Sequence, residues 1–140
     1  PTSEYSVAYE NNQNVSTLDK PAKVIVTDKA GGNYDIAEVV VTFQITLQEQ
    51  ATLSITQKPD TFVYGNNFTL GTSGGSGNGL VTWEAIDVDG VTVAKVDQDS
   101  GLVTIIGDGK ATVKATKSGT DPVTGLTNYQ DAVAFLTFTA

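Results

Sequence analysis

The side chains of this 140-residue chain that could do chemistry are carboxylates, hydroxyls and lysines. Sixteen Asp and Glu oppose eight basic residues, every one of them lysine, and His, Cys, Arg and Met are all missing. Without His there is no ordinary general base near neutral pH, and the commonest metal ligand is gone. Without Cys there is neither a thiolate site nor a disulfide framework. Without Arg no bidentate clamp on phosphate or carboxylate can form. Glycoside hydrolysis by paired carboxylates and calcium binding by oxygen ligands survive this elimination.

The carboxylates cluster as Asp87 with Asp89 and Asp97 with Asp99. A D-x-D pair supplies too few of the six to eight oxygens calcium takes, and no loop with the full calcium spacing is present. These Asp residues read as turn formers, and the remaining Asp and Glu fall on turns and outer strand faces, where nothing desolvates one of a pair. The run Gly74-Gly75-Ser76-Gly77-Asn78-Gly79 is rich enough in glycine to cradle phosphate, but a strand follows it where a phosphate loop needs a helix. Glycan binding needs exposed aromatic faces. Trp83 is expected in the core, and Tyr5, Tyr9 and Tyr64 are scattered singly. An intramolecular Lys–Asn crosslink wants a buried lysine, whereas the alternation turns Lys110 and Lys114 outward. No catalytic, cofactor-binding or metal-ligating residue is therefore expected, and no cofactor. The net charge of −8 argues against nucleic acid and against an anionic membrane surface. No apolar run approaches the ~18 residues of a membrane helix. Opening on Pro1 with no initiator Met, the chain reads as a piece of a longer polypeptide.

The elements around these residues alternate polar and apolar with period two, and no helical period appears. Strands are expected near residues 4–10, 22–28, 37–47, 51–57, 62–64, 68–73, 80–86, 91–97, 102–106, 110–117 and 129–139. Ala37, Val39, Val41, Phe43 and Ile45 should share one face. Val81, Trp83 and Ala85 should face inward, as should Ala111, Val113 and Ala115. Turn residues at roughly 8–12-residue spacing indicate an all-β sandwich. A polar joint, Gln48-Glu49-Gln50, separates a module at 1–47 from one at 48–140.

The two modules share a pattern. Asn33-Tyr34, Ala37 and Thr42-Phe43 align with Asn128-Tyr129, Ala132 and Thr137-Phe138 at an offset of 95 (128 − 33). Ala22, Val24 and Thr27 align with Ala111, Val113 and Thr116 at an offset of 89 (111 − 22). This points to duplication of a small unit. Residues 1–47 supply only about three strands, near the lower limit of independent stability, so this half is expected to be the C-terminal part of a preceding domain and to lean on another surface. Tyr34 and Tyr129, each just before a closing strand, are expected to anchor loops through their hydroxyls.

The segments V-T-W-E-A (81–85) and V-D-Q-D-S-G-L-V-T-I-I-G-D-G-K-A-T-V-K-A-T (96–116) resemble bacterial immunoglobulin-like domains of the group 2 type, found in surface proteins and adhesins. Residues 4–45, with Y-S-V-A-Y-E-N-N (5–12) and G-G-N-Y (31–34), resemble a related tandem repeat that lacks its opening strands. The resemblance implies an immunoglobulin-like Greek-key β-sandwich preceded by a partial β module. It also implies an extracellular, cell-surface or secreted location and a non-catalytic structural or adhesive role as stalk or spacer. Neighbouring domains of the same chain are the expected partners, with no membrane insertion. The alternative is an accessory module that binds carbohydrate or a host protein.

Overall fold

The computed structural model describes residues 4–32 and 35–140. The described residues form eleven strands and no helix, and the chain divides into two compact units, Pro1–Leu47 and Gln48–Ala140.

The first unit is one antiparallel sheet of β1 (Tyr5–Glu10), β2 (Ala22–Asp28) and β3 (Val39–Phe43), in that order. Asn11 adopts a left-handed φ of 52° to leave β1, and its amide donates to the Pro21 carbonyl at 3.2 Å. The loop after it is tied down where the Ser16 N–H meets the Ile45 carbonyl and the Ser16 hydroxyl accepts from the Ile45 N–H, both at 2.9 Å. β3 is shorter than the expected 37–47. Its ladder with β2 ends at the Ala22–Phe43 pair, and beyond it both backbone groups of Ile45 are taken by Ser16. The inward face expected for Val39, Val41 and Phe43 is also not realised, because every residue of β3 is exposed. Of the proposed loop anchors, Tyr34 lies outside the described residues, as does Asn33.

The second unit contains β4 (Leu53–Thr56), β5 (Asn67–Thr69), β6 (Gly71–Gly74), β7 (Val81–Asp87), β8 (Ala94–Val96), β9 (Leu102–Ile105), β10 (Lys110–Lys117) and β11 (Ala132–Thr139). They form antiparallel sheets of order β11-β10-β7, β5-β9-β8 and β4-β6. The period-two pattern is realised along β10, where Ala111, Val113 and Ala115 are buried between less buried neighbours. These residues, with Trp83, Ala134 and Phe138, meet Leu53, Leu70, Val93, Ala94, Val103 and Ile105 in one sandwich-like core. Lys114 stays on the outer face, 3.2 Å from Glu84 directly across the ladder.

Two expected strands differ. Residues 62–64 lie outside any strand, yet Phe62 stacks on Phe138 (centroids 4.2 Å apart) and meets Phe68 edge-on at 5.6 Å. Ring packing replaces ladder bonds there. The expected strand 68–73 is two strands in two sheets, broken at Leu70, whose side chain is buried and whose N–H donates to the Gly101 carbonyl at 3.0 Å.

The sheets β1-β2-β3 and β7-β10-β11 have the same order and register. Ala22 pairs with Phe43 as Ala111 pairs with Phe138, and Val24 with Val41 as Val113 with Leu136. On the other side Val7 pairs with Val26 as Trp83 pairs with Ala115. The connections differ. Residues 11–21 join β1 to β2 without a strand, whereas β8 and β9 stand between β7 and β10.

Trp83 is 7% exposed, and the turn Asp97–Gly101 closes over its indole. Gly101 is buried at a φ of +71°, and a Cβ there would lie 2.8 Å from the indole Cε2. Gly101→Ala therefore combines left-handed strain with overpacking and should cost about 2–5 kcal/mol. Trp83→Ala should cost about 3–5 kcal/mol. Urea unfolding followed by far-UV circular dichroism measures both; near-native stability of either variant would show that the indole does not organise this core.

Candidate functional site

The two acidic pairs singled out in the sequence are built into turns. The Asp97 carboxylate accepts from the Ser100 hydroxyl (2.6 Å), the Ser100 N–H (2.8 Å) and the Asp99 N–H (3.3 Å). These bonds, that from the Ser100 hydroxyl foremost, hold its pKa below the usual carboxylate value. Asp87 accepts from the Thr92 hydroxyl at 2.7 Å, and Asp89 takes a left-handed φ of 55°. Among the described residues no three His, Cys, Asp or Glu side chains gather where a metal ion would sit.

A cleft of about 300 Å³ lies elsewhere in the second unit, between the glycine-rich loop after β6 and the loop joining β10 to β11. Gly77, Asn78, Gly119, Asp121, Asn128 and Tyr129 are among its lining residues. The Asn78 amide donates to Asp121 Oδ2 at 2.9 Å, while Asp121 Oδ1 accepts from the N–H groups of Val123 (2.8 Å) and Thr124 (3.1 Å). The Asn78 bond, followed by these backbone bonds, lowers the Asp121 pKa. Thr120 and Thr127 close the neck of this loop through their hydroxyls, 2.7 Å apart. The Tyr129 ring lies against Gly77, where an added Cβ would come within 3.1 Å of it. At Gly119 a Cβ would sit on the Tyr129 carbonyl, so only glycine lets these two segments run together.

Gln50 ties the two loops together. Its Nε2 donates to the carbonyls of Lys117 (3.0 Å) and Gln130 (2.8 Å), and its Oε1 accepts from the Ser76 N–H at 2.9 Å. Gln48 runs parallel to Tyr129, accepting from the Gln130 N–H and donating to the Asn128 carbonyl. The polar segment read as a joint is thus part of the second unit. The cleft was not legible in the sequence, because its polar residues are two asparagines, an aspartate and a threonine of ordinary loop composition. Chemically it offers amide, hydroxyl and carboxylate groups beside one aromatic ring, a set suited to hydrogen-bonding a small polar ligand.

Comparison of the chain with protein-family models, with curated proteins and with solved structures found no match in any of the three.

Gln50→Ala should unpair three backbone groups and cost about 1–3 kcal/mol, with faster hydrogen exchange at the Ser76 amide. Unchanged exchange there would show that the glycine-rich loop holds its shape without the glutamine. Asp97 and Asp121 titrate lower folded than unfolded, so their stabilising effect is present above the ordinary value of 3.8 and is lost as pH falls through the lowered folded values. The melting temperature should therefore drop on acidification below about pH 4, and less steeply in an Asp97→Asn, Asp121→Asn double variant.

Proposed function

We propose that this chain is a non-catalytic structural and adhesive module of a bacterial surface or secreted protein. It acts as a stalk or spacer, with residues 48–140 forming an immunoglobulin-like Greek-key β-sandwich. One observation carries this reading: the conspicuous sequence features all serve packing. Trp83 fills the core, the D-Q-D-S-G turn caps it, and the glycine-rich loop is stapled by Gln50. The acidic balance keeps such a module soluble and discourages association with polyanions. We read the first unit as a shortened relative of the second; the shared strand order and register support a duplicated sheet.

The cleft beside Tyr129 favours a second reading, an accessory module for a small polar ligand such as a saccharide. Its volume lies at the lower end of the range for ligand sites.

Two measurements separate these readings. Antibodies against the 140-residue chain should label intact cells of the source bacterium; labelling only after permeabilisation would end the surface assignment. Calorimetric titration with simple sugars should give no heat if the module is a spacer. Saturable heat that is abolished in Asn78→Ala would instead make it a binding module.

A further inference from the structure

The first unit carries an apolar sheet face that, apart from the buried Ala22, stays largely exposed among the described residues of that unit. Because paired residues in adjacent strands point to the same side, Tyr5, Val7 and Tyr9 share a face with Ala22, Val24 and Val26 and with Val39, Val41 and Phe43. The opposite face carries Ser6, Glu10, Lys23, Thr27 and Thr42 around Ile25 and Val40, with a Lys23–Glu10 ion pair at 3.5 Å. One face is thus made for water and the other for burial. Yet Val41 is 56% and Phe43 41% exposed, whereas Phe138, which holds the register of Phe43, is 5% exposed.

The second unit shows what chemistry covers such a face. There Leu70, Val93, Val103 and Ile105 lie across the core from β7, β10 and β11, on or beside the strands of the other sheets. The required cover is an aliphatic β layer. Within residues 11–21 the first unit has no counterpart of β8 and β9 to provide one. The face of β1-β2-β3 is itself an aliphatic β layer and carries a single charged residue, Asp28, at its corner.

We propose that this face packs against the same face of a second copy of the chain, giving a two-fold homodimer closed through the first units. Two such sheets would stack face to face at about 10 Å, as the layers of a sandwich do. The half-exposed side chains present on the order of 600 Å² per copy, or about 1,200 Å² across both, the lower end of the range for specific interfaces. The dimer is therefore reversible. A two-fold axis requires only that the face complement itself, which a valine-rich sheet centred on Val24 and Val26 does.

Sedimentation equilibrium of the full 140-residue chain, from micromolar to near-millimolar concentration, tests this. The expected mass rises reversibly from 14.6 kDa to twice that value. Val7→Thr with Val41→Thr keeps β-branched strand formers while putting hydroxyls into the interface, and should weaken the dimer at least about tenfold. Thr42→Lys on the opposite face should leave it intact. Amide exchange along β2, measured in the monomeric range, checks that the double variant retains its sheet. Trp83 fluorescence reports the second unit separately. A native chain that stays at 14.6 kDa throughout overturns the proposal, and so does a double variant with its sheet intact that dimerises as well as the native chain.

Discussion

A β-sheet with one apolar face is stable only when another layer covers that face, and this constraint shapes both units. Ladder hydrogen bonds satisfy the backbone but leave side chains standing off each face. Burial of those side chains provides most of the favourable free energy. In the second unit β7, β10 and β11 meet the other sheets in one core, and Ala111, Val113 and Ala115 lose essentially all contact with water. In the first unit a sheet of the same order and register remains half exposed, with Ala22 its one fully buried apolar residue among those described. Two sheets of shared register thus differ in what lies over them.

The cover in the second unit depends on the way a turn and an indole fit together. Asp97 gathers three hydrogen bonds that shape the turn, and the turn delivers Gly101 to the one place where the indole leaves no room for a Cβ. The Trp83 N–H of the main chain then donates to the Gln98 carbonyl at 2.9 Å, tying β7 to the β8–β9 turn. A strand in one sheet is thereby fastened to a turn in another. At the other end of the core the Phe62, Phe68 and Phe138 rings make the equivalent connection through apolar contact alone. The residue types that look most like signals in this chain are those that close its core. That arrangement is what supports the scaffold role we propose.

Much of the secondary structure was legible in the residues. Alternation in A-T-V-K-A-T placed β10 and its inward face, and V-T-W-E-A placed β7 with Trp83 inside. The boundaries of β3, the break at Leu70 and the irregular path of Phe62 were not legible. Each depends on a partner far along the chain: Ser16 for the end of β3, Gly101 for Leu70, Phe138 for Phe62. The cleft was hidden for the same reason, since Asn78 is an ordinary loop residue until folding brings it to Asp121.

By itself, then, the sequence determined that the chain is extended strand and turn, which side chains of each strand share a face, and that thiolate, imidazole and guanidinium chemistry are excluded. Those properties follow from period-two geometry and from composition, both readable within a few residues. Only the tertiary structure decided which faces are covered, where the strands end, and that a glutamine at the start of the second unit staples two loops. Such outcomes depend on distant segments competing for the same surface and the same backbone donors, and no local pattern records who wins.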